Sequence, residues 1–136
     1  MAYAIKAAVA DIAAAHFAFE AAKTMYGGKQ ISVGDTIYLF ASENEGGRGL
    51  FARGAVTRAD AVPLAAGIAR QTPRVSIAVR VTGRALRPLG RLELKPLKEW
   101  GDDQPGTELN FKFYRQATDK IVGLSDEAAA FLETFF

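Results

Sequence analysis

The sequence contains no cysteine. That absence excludes disulfides, thiolate metal sites and a cysteine nucleophile, and it fits a reducing compartment, so the cytoplasm is the expected location. There is one histidine, His16, so metal binding would rest on carboxylates alone, and no cofactor is implied. With Glu20 four residues on, His16 is expected to make a local pair on a helix rather than to act in catalysis. No uncharged run approaches the roughly 20 residues needed to cross a bilayer. The apolar opening, residues 1–22, is interrupted by Lys6, Asp11, His16 and Glu20, which a translocated signal segment would not carry. Neither a Gly-x-Ser-x-Gly elbow nor a Gly-Lys-Ser/Thr phosphate loop occurs. Asp102 and Asp103 are adjacent, so their side chains diverge and read as turn residues, not as an acid/base pair. No catalytic constellation emerges, and the chain is expected not to be an enzyme.

Lysine is missing from one long stretch. Between Arg48 and Arg91 there are nine arginines, no lysine and a single acid, Asp60, while the rest of the chain holds seven lysines and fourteen acids. A formal net charge of +2 therefore hides a polarised molecule. The planar guanidinium grips phosphate or a base edge with two donors and stacks on rings, which an ammonium cannot do. At 136 residues the chain fits one domain, 1–136, with a single core.

Periodicity suggests how that domain is built. Tyr3 to Val9 reads as a strand, Asp11 as a helix N-cap and the Ala-rich run Ile12 to Tyr26 as a helix ended by Gly27 and Gly28. Thr36 to Ala41 and Leu50 to Thr57 read as strands. The clearest strand is Val75 to Thr82, where Val75, Ile77, Val79 and Val81 alternate with Ser76, Ala78, Arg80 and Thr82. Extended geometry then projects Arg74, Arg80 and Arg84 from one wet face. Short runs at Arg91 to Leu94 and Leu109 to Tyr114 read as further strands. Ser125 caps a closing helix with Asp126 and Glu127 in its first turn. The expected class is α+β: a small curved mixed sheet or pseudo-barrel flanked by short helices.

The run from Lys29 through Gly34-Asp35 to Ser42, feeding Gly49-Leu50-Phe51-Ala52-Arg53-Gly54-Ala55-Val56, resembles the PUA-like superfamily and within it the EVE branch. Phe111-Lys112-Phe113-Tyr114 through Ile121, then Gly123 to Glu127, resembles the EVE closing strand and its short final helix. The tryptophan common near the start of EVE domains is absent, the first strand reading Tyr3-Ala4-Ile5-Lys6-Ala7-Ala8. The ASCH signature, Gly-x-Lys-x-x-Glu-x-Arg, is not met, because Gly27-Gly28-Lys29 has neither the acid nor the arginine after it at the required spacing. The resemblance implies a pseudo-barrel with a pocket for a flipped or modified nucleobase beside a basic surface. Such a pocket needs rings to stack on, a few polar groups to read an edge, and cations outside.

The candidates for the base pocket are Trp100, Phe40, Ser42, Asn44 and Asn110, and those for phosphate are Arg74, Arg80, Arg84, Arg87 and Arg53. Each has a plainer alternative: Trp100 as a lid over the core, Phe40 as core, Ser42 and Asn44 as turn residues, the arginines as ion-pair partners. The leading expectation is a nucleic-acid-binding module, for RNA or DNA, that captures a base which could carry a modification. Alternatives are a protein interaction domain or homo-oligomer that uses the arginine face, and an enzyme on a nucleotide-like ligand.

Overall fold

The computed structural model describes residues 1–97, 104–116 and 119–136. Six strands close into a barrel: β1 (Ala2–Ala7), β2 (His16–Met25), β3 (Thr36–Ala41), β4 (Gly49–Ala61), β5 (Arg74–Arg84) and β6 (Lys120–Gly123). The order around it is β1-β3-β4-β5-β2-β6. Pairing is parallel between β1 and β3 and between β2 and β6, and antiparallel elsewhere. Closure gives each of these strands a partner on both sides, so the sheet has no edge to protect. Among the described residues, three helices come after the long β4–β5 hairpin: α1 (Arg91–Leu94), α2 (Pro105–Phe111) and α3 (Asp126–Glu133). A π-turn, Lys112–Gln116, extends α2.

The strands carry two faces. In β3, Ile37 and Leu39 point into the barrel, while Tyr38 and Phe40 point outward beneath the helices. A strand covered on both sides reads as a continuous apolar run, and Thr36 to Ala41 does. One buried cluster fills the barrel with Tyr3, Ile5, Ile37, Leu39, Val56, Ile77 and Val79 among others. A second lies between the barrel and the helices and includes Phe40, Leu94, Leu109, Phe113 and Leu132. The α3 N-cap is as read from sequence: Ser125 Oγ accepts from the Ala128 amide at 3.0 Å.

The largest correction concerns residues 12–26. They are expected to be helical, yet His16–Met25 form β2. Alanine favours helix only weakly over other residues, and tertiary pairing overrides that preference. Here β2 fills the gap between β5 and β6, and it alternates exposed His16, Ala18 and Glu20 with half-buried Phe17 and Phe19. A bulge after Phe19, with Ala21 at φ 48°, breaks the register and hides the period of two. Asp11 does not cap a helix; its Oδ1 accepts from the Ala13 amide at 2.9 Å and shapes the loop into β2. The expected His16–Glu20 helical pair goes with the helix, since four residues along a strand do not meet. Residues 91–94 and 109–114, read as strands, are α1 and the α2–π segment. Leu94, Leu109 and Phe113 are spent on the second core cluster, and β6 is the closing strand instead.

A candidate nucleic-acid interface

The arginine-rich block spans β4, β5 and the link to α1. Of its nine arginines, two are ion-paired with acids among the described residues: Arg53 with Glu133 at 2.6 Å, and Arg58 with Asp60. Others bind neutral oxygens and keep their charge uncompensated. Arg84 donates to the carbonyls of Ile12, Ala13 and Ala14, tying down the β1–β2 loop. Arg74 donates to the Ala21 carbonyl at 2.9 Å. Arg87 donates to the Thr134 carbonyl at 2.8 Å and lies 4.2 Å over the Phe135 ring. Arg80 is exposed. Along β5, Arg74, Arg80 and Arg84 are exposed while Val75, Ile77 and Val79 are buried.

A cleft of about 710 Å³ opens where Arg84 and Arg87 meet the loops. Its walls come from the β1–β2 loop, residues 45–51 and residues 84–88, with Arg48, Arg84 and Arg87 against one acid, Glu45. Phe51 lines it, and Phe51 packs edge-on against Phe17 at 5.5 Å. Cations around a half-buried ring are what a single strand needs for its phosphates and bases. Gly49 lines the cleft and lets β4 pass close to the Leu89–Gly90 backbone. Its φ of +85° is left-handed, and a Cβ there would lie 2.3 Å from the Leu89 carbonyl oxygen.

Beneath the same Glu43–Glu45 turn, on its inner side, lies a buried polar network. Lys6 is 2 % exposed, on the outer face of β1. Its Nζ sits 4.1 Å over the Tyr114 ring. Tyr114 donates its hydroxyl to Glu43 Oε2 at 2.9 Å, and the Arg91 amide donates to the same oxygen at 2.6 Å. The Arg91 guanidinium reaches Asn44 Oδ1 at 2.8 Å. Glu43 Oε1 is buried with no hydrogen-bond partner among the described residues. Burial pushes the Lys6 amine below its ordinary 10.5; the Glu43 and Asp119 carboxylates oppose that shift and Arg91 adds to it. Burial and the Glu43 carboxylate together push the Tyr114 phenol well above the usual tyrosine range.

The structure brings some of the sequence candidates to this network. Phe40 is 1 % exposed, faces Lys6 across the β1–β3 register and packs on Phe113 at 4.7 Å. It serves the core, its plainer reading. Ser42 is buried, and its backbone ties the turn: its amide donates to the Ala7 carbonyl at 2.9 Å and its carbonyl accepts from Gly47 at 2.8 Å. Asn44 is exposed and holds Arg91. Asn110 is buried and donates to the Leu94 carbonyl at 2.6 Å, joining α2 to α1. Arg53 lies away from the cleft, between Glu133 and the Phe136 ring at 5.0 Å. Trp100 falls outside the described residues.

No family model matches the sequence, and no curated protein matches it. Solved structures do resemble it. The human THYN1 protein, in complex with DNA containing 5-methylcytosine, has a TM-score of 0.67 at 12% identity, covering 98% of this chain and 95% of its own. The DUF55 domain of human thymocyte nuclear protein 1 gives 0.67 at 13%, with 98% and 97% covered. A Pseudomonas putida protein gives 0.64 at 14%, with 99% of each covered. The chain shares the fold of these structures, a match for the pseudo-barrel that the PUA-like, EVE-like resemblance implies. Within that fold, the Gly34-Asp35 turn does what the resemblance implies: it opens β3, with the Gly34 amide bonded to the Val56 carbonyl at 2.8 Å.

Sequence reasoning missed Lys6, Glu43, Tyr114, Arg91 and Phe51. Lys6 did leave a signal, being the one charge inside the apolar run Tyr3 to Val9. A lysine in a strand that is otherwise core is seldom idle, because burying an ammonium is costly. Glu43 and Tyr114 left none, since 71 residues separate them and only the fold brings them together.

Proposed function

We propose that this domain is a nucleic-acid-binding module that captures one nucleobase, with or without a modification, while arginines hold the neighbouring phosphates. One observation carries the reading: Arg48, Arg84 and Arg87 rim a cleft of about 710 Å³ and none of the three is neutralised by an acid among the described residues. The fold supports it, because a structural neighbour is solved with DNA containing 5-methylcytosine. In this reading Arg74, Arg80 and Arg84 of β5, with Arg48 and Arg87, position a single strand, and Phe51 offers a ring for stacking. The base enters beside the Glu43–Glu45 turn, among Ser42, Asn44 and the Lys6–Glu43–Tyr114 network. Phosphate contacts position the strand and the base contacts choose it. Arg53, paired with Glu133, has the smallest part.

The test is the salt dependence of binding to a short single-stranded oligonucleotide. Counterion release lowers log affinity linearly with log salt by about 0.7 per phosphate contact on a single strand. Arg80→Gln combined with Arg84→Gln should flatten that slope by about 1.4. Binding that ignores salt, or an unchanged slope in the double variant, would remove the phosphate contacts from the account.

A further inference from the structure

Resting on that reading, we propose that Lys6 and Glu43 read the base edge, and that the edge they fit has an amino donor beside a ring-nitrogen acceptor, as in cytosine and adenine. Three observations converge. Glu43 fixes one carboxylate oxygen with two donors, Tyr114 and the Arg91 amide, and leaves Oε1 buried and unused. A buried acceptor without a donor is costly and calls for a partner, which a water, an ion or a ligand group can supply. Lys6, 2 % exposed, faces the flat side of Tyr114 and finds no hydrogen-bond acceptor among the described residues. Yet the two opposite charges do not close on each other: no Lys6–Glu43 ion pair within 4.0 Å occurs among the described residues. Buried charges normally pair when they can reach. Here Glu43 is held by Tyr114 and the Arg91 amide, and glycine at position 90 leaves room for it, since a Cβ there would lie 2.7 Å from Glu43 Oε2.

An unused acceptor beside an unused donor is the complement of a donor beside an acceptor. Cytosine presents its N4 amino group next to N3, and adenine its N6 amino group next to N1. Glu43 Oε1 takes the amino hydrogen and Lys6 Nζ donates to the ring nitrogen. Held in that same placement, with position 4 against Glu43 and position 3 against Lys6, uracil and thymine invert both groups, setting a carbonyl oxygen against the carboxylate and an N–H against the ammonium. A methyl on C5 of cytosine lies off this edge and leaves the pairing intact. A site built for one hydrogen-bonding pattern rejects its inverse strongly, because the buried groups are left unpaired.

The experiment measures affinity for single-stranded DNA with one central base among abasic residues. The wild-type protein should bind central dC, 5-methyl-dC and dA at least about tenfold tighter than dT or dU. Glu43→Gln places the amide oxygen toward Tyr114 and Arg91 and turns an NH₂ outward, so it should erase that preference while still binding the strand. Lys6→Met should weaken dC and dA binding without touching the salt slope. If either variant fails to fold, the wild-type base series decides alone. Equal affinity for dC and dT, or a preference for dT, overturns the inference while leaving strand binding intact. If no strand binds even at low salt, the proposed function fails and this inference fails with it.

Discussion

The two layers of the molecule treat charge differently. Inside the barrel the buried side chains are uncharged and nearly all apolar, built on Ile37, Leu39, Val56, Ile77 and Val79, with the Tyr3 hydroxyl and Thr24, whose hydroxyl donates to the Pro73 carbonyl at 2.8 Å, as polar groups. Outside it, beneath the helices, an equally buried layer holds Lys6, Asn110, and at its rim Glu43, Tyr38 and Glu133. Strand β1 belongs to both, sending Tyr3 and Ile5 inward and Ala4 and Lys6 outward. The inner layer is shaped for stability, whereas the outer one gives up stability at Lys6 and Glu43, beside the Glu43–Glu45 turn.

That contrast can be broken or sharpened by substitution. The largest effect belongs to the inner layer: Ile37→Ala, at a fully buried site, should cost about 2–5 kcal/mol in urea unfolding. A cost below about 1 kcal/mol would mean the barrel interior is not the stabilising core.

Next comes the polar staple that fixes α2 to α3. Glu108 accepts from the Ser125 amide at 3.1 Å and from Lys112 at 3.0 Å, and also from Ser125 Oγ. Burial pushes its carboxyl up, but these hydrogen bonds outweigh burial and hold it below its ordinary 4.5. Its contribution is therefore complete above 4.5 and fades as the pH falls through the lower folded value. Glu108→Gln should cost about 1–3 kcal/mol at pH 7 and less at about pH 3, read from denaturant midpoints.

Lys6→Met should behave in the opposite way. Its stability should lie within about 1 kcal/mol of wild type or above it, since an ammonium leaves a site that disfavours charge. The folded amine releases its proton at lower pH than the free amine, so between that value and 10.5 the unfolded chain binds more protons and wild-type stability rises with pH. Lys6→Met should lack that rise. A variant that loses several kcal/mol would make Lys6 a structural residue like those of the inner layer. The smallest effect is expected for Glu133→Gln, which weakens the half-exposed pair with Arg53, at about 0–1 kcal/mol.

Much of the barrel was legible where a strand had one clear pattern. The alternation from Val75 to Thr82 marked β5, the Gly34-Asp35 turn marked the start of β3, and Ser125 marked α3. β2 was illegible because alanine suits a helix and the bulge at Ala21 interrupts the alternation. The runs 91–94 and 109–114 read as strands because they are short and apolar, and their Leu94, Leu109 and Phe113 acquire meaning only against the outer face of β3. The arginine block could be counted from sequence, but which arginines meet acids could not. The partners of Arg53 and Arg87, Glu133 and Thr134, lie in or just after a helix at the far end of the chain. The base-reading candidates Ser42 and Asn44 flank Glu43, but Lys6 and Glu43 themselves were not among them. A carboxylate in a Gly-rich turn gives no hint that one of its oxygens is buried.

The central claim is that one base is captured while arginines hold the strand. The most direct measurement compares the affinity of the wild-type protein for a single-stranded oligonucleotide carrying one central cytosine among abasic residues with that for the same strand lacking the base. The account predicts at least about a tenfold loss when the base is removed, with the salt slope unchanged because the phosphates remain. Equal affinity for the two strands would show that the arginines bind a backbone and that no base is captured.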